Sequence, residues 1–235
     1  MGKRTVDNFE LFANTLKWDF VKRSVYHVQI VVRKKDGHPD AHGNNDGRTI
    51  RTYMFETKES LLNKESEIKT LCKVFNARAY ICPSAKNVYR CMESTAHELI
   101  TKMGESARTD NHINLHAIID SGIAKTEAMS VERKKILDVD TLDENKVNIL
   151  VDWIKAHDNG KRKEGPIYAV VPTPGGYHIL TSRFDTRGLD EFIAENDIPV
   201  TMAKESETEI EFSILYYCAL EDNEYPVYTD FKQND

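Results

Sequence analysis

Along this chain of 235 residues the spacing of apolar positions changes period several times, and each change marks an element. Val6, Phe9, Leu11, Phe12 and Leu16 fall at roughly helical spacing, with Asp7 near the start to offset the helix dipole, so the pattern predicts a packing helix over 6–16. Tyr26 to Arg33 alternates and is β-branched, and Thr49 to Phe55 resumes that character after a Gly- and Asn-rich loop from Asp36 to Gly47, which predicts a long-looped hairpin. Lys58 to Phe75 reads as a helix, Arg78 to Cys82 as a strand stopped by Pro83, and Val88 to Met103 as a second helix. Gly104 to Met129 is polar and follows neither period, leaving a connector and part of a lid both open.

Past that section the periods predict a strand ending near Asp140, a helix over Asp143 to His157, strands over Ile167 to Val171 and Tyr177 to Thr181, and a helix near Gly188 to Glu195. Strands near Pro199 to Met202 and Ile210 to Cys218 follow, and a tail rich in Asp, Asn and Tyr ends the chain. The order β-α-β-β-α-β is that of the split βαβ, ferredoxin-like pattern. The expected fold class is α+β, with a ferredoxin-like module over 131–235 packed against an N-terminal α/β module over 1–130 in one globular unit.

Composition narrows the function classes. No run of eighteen apolar residues exists, and Met1 to Asp7 leads into an acidic amphipathic segment without an apolar signal region, so the sequence argues against membrane spanning and secretion. Cys72, Cys82, Cys91 and Cys218 have no C-x-x-C spacing, which speaks against a zinc ribbon and fits reduced thiols in a cytoplasmic protein. The net charge of −6 hides an asymmetry, because residues 1–135 carry 23 Lys and Arg against 17 Asp and Glu, whereas residues 136–235 carry 9 against 21. A basic first half suits a polyanionic backbone and an acidic second half suits divalent cations, although ordinary helix-surface charge gives similar sums.

Two short strings carry the chemistry. Ile136-Leu137-Asp138-Val139-Asp140 puts two carboxylates at i and i+2, which on an extended strand point to one face and make a seat for Mg²⁺ or Mn²⁺. Val170 to Leu180 contains Pro172-Thr173-Pro174-Gly175-Gly176-Tyr177-His178, a strand, a tight turn and a second strand that delivers a histidine, with glycine amides placed to meet an anion. A metal seat beside a phosphate cradle points to nucleotide chemistry.

Asp-x-Asp at the end of an apolar strand, followed by Thr-Pro-x-Gly-Gly-x-His inside a strand pair, resembles the archaeo-eukaryotic primase superfamily, and most closely its primase-polymerase branch from phages and mobile elements. The motifs cover about the last hundred residues, and the first half is similar only in its α/β order. The resemblance implies an RRM-like catalytic module joined to a smaller α/β unit, a DNA primase or polymerase activity in DNA replication, and phosphoryl transfer from nucleoside triphosphates on a single-stranded DNA template. It further implies Asp138 and Asp140 as ligands of Mg²⁺ or Mn²⁺, His178 on the phosphates of the incoming nucleotide, and Gly175 and Gly176 as the points where backbone approaches those phosphates. A separately encoded helicase or replication protein is the implied partner. The chain departs from the family where Pro174 or Gly176 stands in place of a common polar residue, and in its third acid. For that role Glu211 is preferred on the late strand, Glu209 shares its face, and Asp185 is an alternative.

Plainer readings stand beside these. Asp138-Val139-Asp140 before Thr141 can turn the chain and cap the next helix, and Pro-Gly-Gly alone is an ordinary hairpin turn. A primase-like protein that binds nucleic acid or a replication partner without catalysis is therefore the second hypothesis. A ligase-like adenylyltransferase is a distant third, because Lys34-Lys35-Asp36-Gly37 fits K-x-D-G but Pro39 stands where an arginine is expected. His38 with His42, and His112 with His116, have zinc-compatible spacing but no evident third ligand. Arg51 with Tyr53, and Arg78 with Tyr80, join cation and aromatic on strand faces suited to template phosphates and bases, and cross-strand packing explains the tyrosines equally well. Tyr177 faces away from His178 on its strand, and Trp18 and Trp153 sit in apolar periodic settings expected of core.

Overall fold

A computed structural model of the chain describes residues 4–18, 23–33, 47–109, 118, 133–160, 162–202 and 212–218. Lys34, Lys35, His38, His42, His112, His116, Glu209 and Glu211 lie outside the described residues, as does most of 104–129 beyond Thr109.

Two antiparallel sheets and six helices make up the described residues, a mixed α+β fold. The first sheet has the strand order β1 (Val6–Asp7), β10 (Ser213–Tyr217), β4 (Arg78–Ile81), β2 (Ser24–Arg33) and β3 (Gly47–Phe55), with β5 (Lys86–Asn87) also paired to β2. Helices α1 (Phe9–Thr15), α2 (Lys58–Asn63) and α3 (Glu65–Val74) supply Phe9, Phe12, Leu61, Ile68 and Cys72 to the core on one face of this sheet. Helix α4 (Val88–Thr109) follows β5. The second sheet has the order β7 (Ile167–Pro172), β8 (Tyr177–Thr181), β6 (Lys135–Val139) and β9 (Val200–Met202). Helix α5 (Glu144–Ala156) connects β6 to β7, and α6 (Leu189–Glu195) connects β8 to β9.

Alternation along the strands of the second sheet decides what each face does. Leu137, Val139 and Ile179 meet Val147, Leu150, Val151 and Ile154 of α5 in one core. Ile136, Val171 and Leu180 point the other way and join the core of the first sheet. The first sheet therefore covers the face of β6 and β8 opposite the helices. Full burial of side chains such as Ile179, Leu180 and Leu150 stabilises each face by about 1.5–3 kcal/mol per residue.

Several boundaries differ from the sequence expectation. Val6 and Asp7 are a strand paired with Tyr217 and Tyr216, and helix α1 begins only at Phe9, since the apolar positions serve two elements in succession. The segment 58–75 divides at Lys64, where the backbone leaves the regular helical conformation and its N–H bonds back to Leu61 and Leu62. Ser213–Tyr217, expected in the second module, lies in the first sheet between β1 and β4, so the chain returns across the 130/131 boundary. No helix among the described residues is long and apolar enough to cross a membrane.

Candidate functional site

The pairing of β6 with β8 puts Asp138 directly opposite His178. Neighbouring strands lie about 4.8 Å apart, so cross-strand partners on one face touch. Here His178 Nε2 lies 3.3 Å from Asp138 Oδ1. The carboxylate side chain is 46% exposed and the imidazole 13%, which makes the aspartate the open side of the pair and the histidine its wall. On the far side of the ring, His178 Nδ1 is hydrogen-bonded to Ser213 Oγ at 2.9 Å. Ser213 is fully buried at the start of β10. Both ring nitrogens of His178 therefore have a polar neighbour, Asp138 at Nε2 and Ser213 at Nδ1.

Asp140 is exposed and stands one residue past β6, where its N–H donates to Pro199 O at 2.9 Å. That bond extends the β6/β9 ladder, so strand alternation carries Asp140 toward the face of Asp138. The carboxylate oxygens are the donors that hard cations such as Mg²⁺ and Mn²⁺ take, so the donor set fits. Among the described residues no group of three or more His, Cys, Asp and Glu is placed to hold a metal ion. Glu209 and Glu211, which the sequence offers as the third acid, lie outside the described residues.

Asp185 does not join the pair. Its N–H bonds to His157 O at the C-terminal end of α5, a helix that starts just after Asp140 and runs about 20 Å along the module. There its carboxylate accepts hydrogen bonds from the Arg187 side chain and backbone, which hold its pKa down at about 2.

The second motif closes on the first through Gly176. A Cβ at this position would lie 1.9 Å from Val139 O and 2.9 Å from Thr141 N, inside the backbone of the strand that carries the acids. Neither Gly175 nor Gly176 has a left-handed φ, so the need for glycine at 176 is the close approach of two backbones. Gly175 has open space around its Cα and is exposed, whereas Gly176 is buried. Of the two, Gly175 is thus the one with uncovered backbone, and Gly176 is enclosed against the backbone of Val139 and Thr141.

The turn is gripped from the chain's start. Thr173 N–H donates to Gly176 O at 2.9 Å across the hairpin. Arg4 Nε donates to Thr173 O at 2.9 Å and Arg4 Nη2 to Gly176 O at 2.7 Å, with the guanidinium 4.7 Å above the Tyr177 ring. Tyr177 Oη donates to Glu144 Oε1 at 3.2 Å at the start of α5, in keeping with its facing away from His178. The Asn8 side-chain amide donates to Pro172 O at 3.0 Å and Ile214 O at 2.9 Å, joining the two sheets beside the site. Sequence reasoning missed Arg4, Asn8 and Ser213. No local pattern marks a lone Arg, Asn or Ser whose partners are distant in sequence.

Arg51 keeps an exposed guanidinium 5.2 Å over Tyr53 and 3.4 Å from Glu67 Oε1. Arg78 is 6% exposed and packs 4.7 Å over the Tyr217 ring, so it is a buried structural cation and not a surface contact for template.

Ser213, His178 and Asp138 together have the residue types of a hydrolase triad. The burial is the reverse of what acyl transfer needs, since the hydroxyl is enclosed and the carboxylate is open. The serine holds the ring from the enclosed side, and the solvent-open side of the group is the Asp138 side. Comparison with protein-family models, with curated proteins and with solved structures finds no match to this chain.

Proposed function

We propose that the chain is a metal-dependent nucleotidyltransferase of the primase-polymerase type, acting on nucleoside triphosphates with a single-stranded DNA template. The observation that carries this reading is the meeting of the two motifs: Asp138 faces His178 at 3.3 Å, and the Pro-Gly-Gly turn rests on the backbone of Val139 and Thr141. The β-α-β-β-α-β course of 135–202, with its antiparallel order β7-β8-β6-β9, supports an RRM-like or ferredoxin-like module.

Phosphoryl transfer requires neutralised charge and in-line positioning more than bond-making by the protein. Asp138 and Asp140 would hold Mg²⁺ or Mn²⁺, which when bound supplies charge neutralisation at the reacting phosphate. His178 stands beside Asp138 with Nε2 at its carboxylate, where the ring would border a phosphate brought to the metal. Ser213 holds the ring through Nδ1, so its orientation does not depend on a mobile side chain. Gly175 offers uncovered backbone next to it. Arg51 on β3 is retained as a candidate template contact and Arg78 is not.

A second reading, a primase-like module that binds nucleic acid or a replication partner without catalysis, is favoured by one observation: among the described residues no group of three or more His, Cys, Asp and Glu is placed to hold a metal ion. Incorporation of labelled nucleotides on single-stranded DNA with Mg²⁺ or Mn²⁺ separates the two. Product from the native chain and none from Asp138→Ala/Asp140→Ala supports the enzyme. DNA binding without product from either protein supports the binding module.

A further inference from the structure

We infer that Arg4 is a positioning residue for the phosphate-facing turn, an inference that rests on the nucleotide reading above. Three observations meet at this residue. Its Nε and Nη2 donate to the carbonyl oxygens of Thr173 and Gly176, the two residues that flank the Pro174-Gly175 tip. Its backbone N–H donates to Pro174 O at 3.3 Å. Its guanidinium lies over Tyr177, whose hydroxyl is tied to Glu144.

Carbonyl oxygens are the groups of a turn that repel a phosphate, and amide N–H groups are the ones that attract it. Arg4 takes up three carbonyls of this turn and adds a fixed positive charge behind it, which leaves Gly175 exposed as the point of approach. The planar fork of arginine reaches two carbonyls at once, which the single ammonium of lysine does not reproduce. Asn8, four residues on and 1% exposed, holds the same segment to Pro172 and to Ile214, the residue after Ser213. The first residues of the chain thus connect the turn to the strand that orients His178.

The test compares native protein with Arg4→Ala and Arg4→Lys. Two quantities are measured: affinity for labelled dATP with Mn²⁺, and amide hydrogen exchange over 172–177. In the native protein dATP binds and slows exchange in the turn. In Arg4→Ala, affinity falls at least tenfold and exchange over 172–177 quickens while that over 135–139 is kept; Arg4→Lys recovers part of the affinity. Native-like affinity together with native-like exchange in Arg4→Ala overturns the inference. If Arg4→Ala does not fold, Arg4→Lys decides, and native-like affinity and exchange there overturn it. Absence of dATP binding by native protein instead overturns the nucleotide reading, and unchanged turn exchange in the variants then overturns the positioning role separately.

Discussion

His178 and Asp138 are direct cross-strand partners, with Nε2 and Oδ1 3.3 Å apart, and the imidazole is pinned from behind by a serine on the other sheet. A ring held on both sides keeps one orientation. The pair is therefore built where the two sheets meet, and its geometry depends on residues from both.

Gly176 and Gly175 separate close packing from open backbone. Gly176→Ala would place a methyl group within 1.9 Å of Val139 O, a backbone atom that has no rotamer in which to retreat. Expected is a loss of about 3 kcal/mol in urea unfolding, at the upper end of ordinary overpacking. Gly175→Ala meets nothing within 4 Å and is expected to stay within about 0.5 kcal/mol of native. Equal stabilities for the two variants would contradict the packing of the turn on β6.

Ser213→Ala removes the partner of His178 Nδ1. Loss of one buried hydrogen bond costs about 1 kcal/mol of stability. Triphosphate affinity is expected to fall several-fold, and the fall should vanish when Ser213→Ala is made in a His178→Ala background, because the serine acts through the ring. An additive double mutant would show that Ser213 acts by another route.

His27 is fully buried, and burial, with Lys86 nearby, pushes its pKa down to about 4. Neither ring nitrogen has a hydrogen-bond partner among the described residues. The unfolded chain takes up this proton near the ordinary value of 6.5, whereas the folded chain resists until about 4. Stability is thus unaffected by this group above 6.5 and falls as pH drops from 6.5 to 4, by about 3 kcal/mol at most. Unfolding free energies measured across that range should fall less steeply in His27→Phe; identical slopes would remove His27 as the cause.

Arg51 and Arg78 are expected to part company. Arg51→Ala should weaken single-stranded DNA binding a few-fold and lower the salt slope by about 1, with stability little changed. Arg78→Ala strips a buried side chain from Tyr217 and should lower the unfolding midpoint. DNA titrations at two salt concentrations and thermal melts of both variants check the pair of outcomes.

Elements with a strong local period were legible in the sequence. The helix expected over 143–157 is α5, with Asp143 accepting from Asn145 N–H as its cap, and the strands around Pro-Gly-Gly are β7 and β8. Apolar alternation puts Asp138 and His178 each on a polar position of its strand, but the register that sets one against the other is seen only in the folded sheet. Non-local relations were not legible. Ser213–Tyr217 has the period of any strand, and nothing local says that it crosses to the first sheet. Arg4 reaches Thr173 across 169 positions through backbone carbonyls, which any residue supplies. Arg78 beside Tyr80 looked like a surface pair, but pairing of β4 with β10 sets the arginine against Tyr217 and buries it.

The most direct test of the central claim, that the acid pair and the histidine turn form one metal and nucleotide site, is Mn²⁺ binding measured by electron paramagnetic resonance with and without a non-hydrolysable nucleoside triphosphate. The account predicts Mn²⁺ binding that tightens when triphosphate is added. It also predicts that binding is lost in Asp138→Asn/Asp140→Asn, and that His178→Ala abolishes the tightening while leaving metal binding alone. Native-like Mn²⁺ affinity in the double carboxylate variant, or tightening undiminished in His178→Ala, would contradict it.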